Sequence, residues 1–218
     1  MSGAVSSIPQ GSWVAFDFDG TLTRRDSLLP FLRQVLGTPG LMAALAAEAP
    51  RLAAYAVKLL SNETAKVGLL RRALGGRRRA ELELHGRSFA TDGVSQLLRP
   101  PLMERLRLHQ NLGHRCVLVT ASLTLYTRPW ALAQGFEAVL GSELAFDDAG
   151  ISDGRLVGGN CYGREKVLRL KRLLGEGKLA VAYGDSRGDR EMLAMAETAI
   201  WRQTFKPSRH DLDKGKPR

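Results

Sequence analysis

The feature that most constrains the fold of this chain is a set of short apolar runs that lead directly into polar or turn-forming residues. The runs cover residues 13–17, 116–120, 179–183 and 198–201. Apolar runs of four or five residues next to turn signals are typical of buried β-strands. Asp17 and Thr120 end the first two runs, and Asp185 follows the third, so we expect these polar groups at the carboxyl ends of strands, where α/β proteins bind ligands.

Helical patterns separate these runs, and each pattern stops at a glycine. They cover residues 101–112, 124–134 and 164–174, before Gly113, Gly135 and Gly175. Strands that alternate with helices of this length favour right-handed βαβ units. The predicted fold class is therefore α/β, with a three-layer, Rossmann-like parallel sheet. Residues 143–156 carry turn signals that predict an antiparallel hairpin off the sheet.

The long segment between the first and second runs has no convincing strand pattern. It is predicted to form consecutive helices, with breaks at residues 37–40, 50, 61–62 and 75–76. We therefore expect an α-helical cap inserted after the first strand. The predicted units are an α/β core over residues 12–23 and 100–205, the cap over residues 24–99 and a basic tail over residues 206–218.

The composition indicates a globular protein with an excess of positive charge. There are 32 Lys and Arg against 22 Asp and Glu, which gives a formal net charge of +10 and favours anionic partners. Cys116 and Cys161 indicate neither a disulfide framework nor a zinc site. Residues 1–10 do not resemble a secretory signal and no uninterrupted apolar stretch is long enough to span a membrane, so we expect a cytoplasmic protein.

Acidic, hydroxyl and lysine side chains at the strand ends and helix starts together describe a phosphoryl-transfer site. The set comprises Asp17, Asp19, Thr120, Lys166, Asp185 and Asp189. A carboxylate can attack phosphorus to form an aspartyl-phosphate that water then hydrolyses, and Asp17 is the predicted nucleophile. Asp19 is the predicted general acid and base, and Lys166 is predicted to neutralise the charge of Asp17 and of the phosphoryl group.

Mg²⁺ is the expected cofactor, because an anionic nucleophile must approach an anionic ester. Its expected oxygen ligands come from Asp17, the Asp19 carbonyl, Asp185 and Asp189. Thr120 and the amides after Asp17 are expected to donate hydrogen bonds to phosphate oxygens. Each residue alone has a structural alternative, such as a helix cap, a turn residue or a solvated helix position. The combination is what predicts the site.

The quoted positions resemble the four motifs of the haloacid dehalogenase-like (HAD) superfamily. They are residues 17–21, Thr120, Lys166 and residues 184–189. Asp19 is similar to the second aspartate of its phosphatases, and the helical cap is similar to that of the phosphoserine phosphatase-like branch, subfamily IB. The resemblance implies phosphate contacts from Gly20, Thr120, Ala121 and Ser122. It also implies a substrate contact from Asp26, which alternatively starts the next helix.

The motifs depart from those of true phosphoserine phosphatases at Gly20, at residues 120–122 and at Gly188. Other members of the branch resemble phosphatidylglycerophosphate phosphatases. The expected function is therefore Mg²⁺-dependent hydrolysis of a phosphomonoester, either a small molecule or a lipid head group. The alternatives are a phosphoserine phosphatase proper, transfer to an acceptor other than water, and a non-catalytic anion-binding or lipid-surface-binding protein on the same scaffold.

The cap combines an apolar segment with arginines, which leaves three interpretations open. Residues 41–60 are apolar around much of a helix, and residues 71–72 and 77–79 are arginines. They are compatible with peripheral contact with an anionic membrane, with a cap core and its solvated face, or with arginines that bind substrates with extra phosphates. Little aromatic interleaving accompanies the basic residues, so no nucleic-acid partner is expected. The expected assembly is a monomer or a homodimer.

Overall fold

Strand β1 (Trp13–Phe16) is buried along its whole length in the middle of a six-stranded sheet. The computed structural model describes residues 7–202, apart from the side chains of Leu52 and Asn62. The other strands are β2 (Arg115–Leu123), β3 (Ala138–Phe146), β4 (Ser152–Val157), β5 (Leu179–Gly184) and β6 (Thr198–Trp201). Their order is β4-β3-β2-β1-β5-β6, and β4 alone among these strands pairs antiparallel with its neighbour.

Helices connect the strands and cover both faces of the sheet. They are α1 (Leu28–Ala56), α2 (Asn62–Leu74), α3 (Arg79–Ser88), α4 (Pro100–Asn111), α5 (Thr124–Ala133), α6 (Arg164–Leu174) and α7 (Arg190–Met195). Successive residues of β1 point to opposite faces: Val14 and Phe16 pack with α4 and α5, whereas Trp13 and Ala15 pack with α6 and α7. The predicted α/β class and Rossmann-like layering are confirmed.

The segment between β1 and α4 is helical, in agreement with the sequence pattern. Thr23 and Leu98 form an antiparallel bridge at its base. The flanking amides add Arg24 N–H donating to the Leu97 carbonyl and Arg99 N–H donating to the Leu22 carbonyl, each at 2.8 Å. The segment therefore leaves and rejoins the core at adjacent positions, above the end of β1 that carries Asp17.

Helix α1 differs from the prediction. Gly37 adopts φ +69° and kinks the helix as expected, but Pro50 does not end it, and the helix continues to Ala56. The side chains of Phe31, Leu32 and Val35 pack in the main core. By length and hydropathy alone, Leu28–Arg51 would suffice to cross a bilayer, a criterion that core helices also meet. Arg33 and Glu48 interrupt its apolar residues, so the expectation of no uninterrupted apolar stretch of that length is not contradicted.

The predicted hairpin is present, but its first strand was placed incorrectly. β3 begins at Ala138 and pairs parallel with β2 as a member of the sheet before it turns into β4. Gly141 interrupts the apolar pattern, and it is required because a Cβ there would lie 2.8 Å from the Thr124 methyl carbon. The predicted tail at residues 206–218, and residues 203–205 of the predicted core, lie outside the described residues.

A chain of buried hydrogen bonds joins two histidines to β5. His109 Nε2 lies 2.9 Å from the Tyr183 hydroxyl, and His109 Nδ1 lies 2.8 Å from His114 Nδ1. His114 Nε2 lies 3.2 Å from the Ile8 carbonyl. One neutral arrangement satisfies every contact: Tyr183 donates to His109, His109 Nδ1–H donates to His114, and His114 Nε2–H donates to Ile8.

Candidate active site

A buried lysine between two carboxylates forms the centre of the site. Lys166 Nζ lies 2.6 Å from Asp17 Oδ1 and 2.6 Å from Asp189 Oδ1, and it donates a third hydrogen bond to the Val119 carbonyl at 2.9 Å. Burial opposes the charge of Lys166, but Asp17 and Asp189 outweigh it and hold its pKa above the ordinary value. Lys166 is therefore a fixed cation.

The sheet explains how these groups meet. Asp17 follows β1 directly, and its amide donates to the Tyr183 carbonyl of β5 at 2.9 Å. Lys166 lies in the first turn of α6, which begins after Gly163 at φ +56°. The Gly163 amide donates to the Gly188 carbonyl at 3.0 Å, which ties the start of α6 to the loop that carries Asp189. Strand ends and loops that are distant in sequence thus converge at one edge of the sheet.

Asp189 is fully occupied by hydrogen bonds. Its Oδ1 accepts from Lys166, and its Oδ2 accepts from the Ser186 amide at 2.9 Å, the Ser186 hydroxyl at 2.8 Å and the Asp185 amide at 3.2 Å. Burial alone would raise its pKa, but Lys166 and Ser186 hold it below the ordinary value. Asp189 is therefore a fixed anion that positions both Lys166 and the loop that carries Asp185.

Three carboxylates at the site form an oxygen-rich cluster. Asp17, Asp185 and Asp189 each offer an oxygen atom within 4.8 Å of the others. Burial, together with the charges of Asp189 and Asp19, outweighs Lys166 and raises the pKa of Asp17 to about 7. Hard divalent cations such as Mg²⁺ take oxygen ligands of this kind, so the donor set fits the expected cofactor.

Gly20 makes room for one member of this cluster. It adopts φ +79°, and a Cβ on it would lie 2.2 Å from Asp185 Oδ2. A side chain at this position would therefore displace the Asp185 carboxylate. Arg202 also contacts this carboxylate, with its Nε 3.7 Å from Asp185 Oδ2.

Asp19 points to a different set of partners from Asp17. Its Oδ1 accepts from the Ser27 amide at 3.0 Å, and its Oδ2 accepts a short hydrogen bond from the Ser122 hydroxyl. Burial, together with the nearby charge of Asp26, raises its pKa to about 7 despite these hydrogen bonds. Asp19 is thus balanced between its protonated and ionised forms near neutral pH, which suits proton transfer.

One cavity of about 650 Å³ contains most of the residues that the sequence singled out. They are Asp17, Asp19, Gly20, Asp26, Thr120, Ala121, Ser122, Lys166 and Asp185. Asp26 is exposed in the cavity wall, and its Oδ1 accepts from the Leu28 amide at the start of α1, so its position is compatible with both roles that were considered for it. Thr120 Oγ1 accepts from the Ser122 amide at 2.9 Å, within the last residues of β2.

The cavity also contains a lysine that the sequence analysis missed. Lys66 of α2 donates a short hydrogen bond to the Ala121 carbonyl and another, at 2.9 Å, to Asn160 Oδ1. Burial lowers its pKa to about 8, against the nearby acids. No local motif surrounds this residue in the sequence, so only the packing of the cap on the core reveals its position.

The arginines of the cap that were predicted to form a basic cluster lie elsewhere. Arg72 lies 3.6 Å from Glu48, and Arg77 is paired with Glu81. The Arg79 guanidinium lies 4.3 Å from the centre of the Phe146 ring. These residues do not line the active-site cavity.

A mixed sheet covered on both faces, with acids and a buried lysine at the carboxyl ends of its strands, defines an α/β enzyme. Residues 14–194 match the profile of haloacid dehalogenase-like hydrolases. The chain belongs to this hydrolase family, as the resemblance implied.

Relatives of the chain support the same family and fold. Protein CicA from Caulobacter vibrioides (strain NA1000 / CB15N) is 38% identical over 190 residues, which cover 87% of this chain and 85% of the relative. A protein of unknown function from Bordetella pertussis Tohama I has a TM-score of 0.70 and 26% identity, with 85% of this chain and 87% of that one covered. A phospho-aspartyl intermediate analogue of phosphoserine phosphatase has a TM-score of 0.58 and 17% identity, with coverage of 86% and 84%.

Proposed function

We propose that the chain is a phosphomonoester hydrolase that forms an aspartyl-phosphate on Asp17 and requires Mg²⁺. The observation that carries the proposal is the contact of 2.6 Å between the buried Asp17 and Lys166 in a cavity that also contains Asp19. A nucleophilic carboxylate, a fixed cation and a second carboxyl group near its pKa are the groups that phosphoryl transfer needs. The related fold of a phosphoserine phosphatase with a phospho-aspartyl analogue supports the same chemistry.

The reaction divides into two steps. In the first step, a carboxylate oxygen of Asp17 forms a bond to phosphorus, the bond from phosphorus to the ester oxygen breaks, and Asp19 gives its proton to the departing alkoxide. In the second step, Asp19 takes a proton from water as the water oxygen attacks phosphorus. Inorganic phosphate leaves, and Asp17 is restored. Lys166 neutralises charge throughout.

Mg²⁺, when bound, would supply positive charge between the nucleophile and the phosphate group. We propose that Asp17 and Asp185 hold it with their carboxylates, with the Asp19 carbonyl as a further oxygen ligand. Asp189 belongs to the same cluster, but its lone pairs are already engaged by Lys166 and the Ser186 segment. Its proposed contribution is therefore to fix Lys166 and Asp185.

The residues around the nucleophile form the proposed phosphate-binding and substrate-binding groups. Gly20, Thr120, Ala121 and Ser122 border the position next to Asp17, and Asp26 lies farther out on the cavity wall. A cavity of about 650 Å³ is within the usual range for small-molecule sites, so it accommodates a small phosphate ester or a lipid head group. Phosphoserine remains the alternative substrate.

Replacing the nucleophile tests this function. We expect Asp17→Asn to reduce the turnover of p-nitrophenyl phosphate with Mg²⁺ by at least about 1,000-fold, because an amide cannot form the intermediate. Asp92→Asn is the matched control, since Asp92 is exposed and does not line the cavity. The proposal would be overturned if Asp17→Asn released phosphate at a rate near that of the natural protein, or if removal of Mg²⁺ by chelation left the rate of phosphate release unchanged.

We further propose that the enzyme is cytoplasmic, as a monomer or homodimer, and touches anionic membranes through the tip of the cap. Val57 and Leu59, which follow α1, are 66% and 78% exposed, and Lys58 lies between them. Tyr55, beside this tip, lines the cavity. Apolar side chains next to a cation, on a chain with net charge +10, suit an anionic lipid surface. Such contact would bring the cavity mouth to the lipid.

A further inference from the structure

Four arginines from three separate parts of the chain meet beside the active site. Arg24 and Arg25 follow the turn that carries Asp19, Arg99 lies where the cap rejoins the core, and Arg202 follows β6. Arg24, Arg25 and Arg202 line the cavity that contains Asp17. Burial, and then the charges of Arg202 and Arg24, lower the pKa of Arg99, which places all three in one electrostatic neighbourhood. We call these four residues the arginine cluster.

The positive charge of the arginine cluster is poorly compensated. Within residues 7–202, neither Arg24 nor Arg25 forms an ion pair. Arg202 Nε pairs with Asp185 at 3.7 Å, and Arg99 Nη2 donates to the Thr23 carbonyl at 3.5 Å, but the buried Nε of Arg99 has no hydrogen-bond partner among the described atoms. Four guanidinium groups beside a single paired carboxylate leave an excess of positive charge, which is unfavourable. An anionic ligand in the cavity would offset this excess.

This anion is distinct from the phosphate group that reacts. The reacting group belongs next to Asp17 and Lys166, which are buried at the floor of the cavity. Arg24 and Arg25 are instead exposed in the cavity wall. A guanidinium group can donate two parallel hydrogen bonds to the oxygens of one phosphate. Several guanidinium groups therefore recognise a phosphoryl group better than a single lysine ammonium group does.

We propose that the arginine cluster binds a second phosphoryl group of the substrate. The preferred substrates are then small phosphomonoesters that carry another phosphate, either a monoester or a diester, elsewhere in the molecule. This inference rests on the proposed function, because it assigns the substrate class of the same site. The cluster would lower KM through binding energy and leave the chemical step at Asp17 unchanged.

Kinetics with matched esters tests the inference. With 1,3-propanediol bisphosphate, we expect a KM at least about tenfold below that of 3-hydroxypropyl phosphate, which corresponds to about 1.4 kcal/mol. Arg24→Gln with Arg25→Gln should abolish this difference, because the KM of the bisphosphate should rise at least about tenfold more than the KM of the monophosphate. Arg33→Gln with Arg107→Gln, at two exposed arginines that do not line the cavity, controls for the loss of two positive charges.

Two outcomes would overturn the inference while leaving the phosphatase function intact. They are equal KM values for the two esters, and an equal gain from 4-(phosphonooxy)butanoate, which would show that any second anion suffices. Calorimetric titration of Asp17→Asn with the bisphosphate separates the inference from the function. If no ester is hydrolysed, the function fails, and the inference is then judged by whether Arg24→Gln with Arg25→Gln weakens this binding at least about fivefold.

Discussion

Gly20 and Asp185 are packed so closely that a Cβ on Gly20 would lie 2.2 Å from Asp185 Oδ2. We therefore expect Gly20→Ala to displace the Asp185 carboxylate and to weaken the proposed Mg²⁺ site. The apparent Mg²⁺ concentration for half-maximal phosphatase activity should rise at least about tenfold, since one of the ligands moves. Activity measured across a Mg²⁺ titration checks this expectation.

Gly11→Ala is the matched control for that substitution. Gly11 adopts φ +80°, almost the same as Gly20, but a Cβ on it would meet no atom within 4 Å. Both variants therefore carry the strain of a positive φ, and only Gly20→Ala has the collision. An equal change in Mg²⁺ dependence in the two variants would show that backbone strain, and not the Asp185 contact, is responsible.

The ion pair between Lys166 and Asp189 makes a prediction about stability. Asp189→Asn removes a buried anion and leaves Lys166 with one carboxylate partner. Breaking a buried pair from one side costs about 3 kcal/mol, and we expect a loss of that size in the free energy of unfolding, measured in urea. Asp92→Asn at an exposed position should change it by less than about 0.5 kcal/mol. A loss equally small in Asp189→Asn would contradict the structural role of the pair.

The buried histidine pair predicts how stability depends on pH. Burial, and then the charges of His114 and Arg105, lower the pKa of His109 from 6.5 to about 4. Below pH 6.5, His109 binds a proton in the unfolded chain but stays neutral in the folded protein, which favours unfolding. The contribution of His109 to the free energy of unfolding is therefore complete above pH 6.5 and is lost progressively towards pH 4. The loss by pH 4.5 is about 2 to 3 kcal/mol.

Comparison with His109→Gln separates the contribution of His109 to the pH dependence of stability from the contributions of the other titratable groups. The stability advantage of the natural protein over His109→Gln should be smaller at pH 4.5 than at pH 7.5 by about 2 kcal/mol. Urea unfolding at the two pH values provides the measurement. An advantage of equal size at both values would show that His109 does not resist protonation in the folded state.

The exposed tip of the cap predicts binding to lipid vesicles. We expect the protein to sediment with vesicles that contain phosphatidylglycerol at low salt, and Val57→Asp with Leu59→Asp to reduce the bound fraction at least about fivefold. Leu84→Asp, at an equally exposed leucine of α3, should bind nearly as well as the natural protein. Loss of binding in Leu84→Asp to the same extent, or no sedimentation of the natural protein, would reject the proposed contact.

Local patterns predicted the elements that are marked by local signals. Helix α6 has the predicted bounds of Arg164–Leu174, because an apolar stripe and two flanking glycines define it. The first residues of β3 were not predicted as strand, because Gly141 interrupts the apolar pattern there. This glycine is needed for close packing against Thr124. Pro50 likewise failed as a helix terminator, since α1 continues through it to Ala56.

The site was predictable where each residue follows a strand or begins a helix. Asp17, Thr120 and Lys166 belong to that group, and the structure brings them together. Lys66 and Arg202 do not, because they are single basic residues among 32 in the chain, with no motif around them. Only the three-dimensional arrangement distinguishes them from solvated surface charges.

The bridge between Thr23 and Leu98 makes the cap a replaceable part of the molecule. Because the chain leaves and rejoins the core at hydrogen-bonded neighbours, an insert of another length or sequence can be closed at the same two points with little entropic penalty. Recombination at this junction would exchange the walls around the substrate while inheriting Asp17, Lys166 and Asp185 unaltered. Substrate range can therefore evolve while these three residues stay in place, provided that a new insert again supplies the amide that Ser27 donates to Asp19.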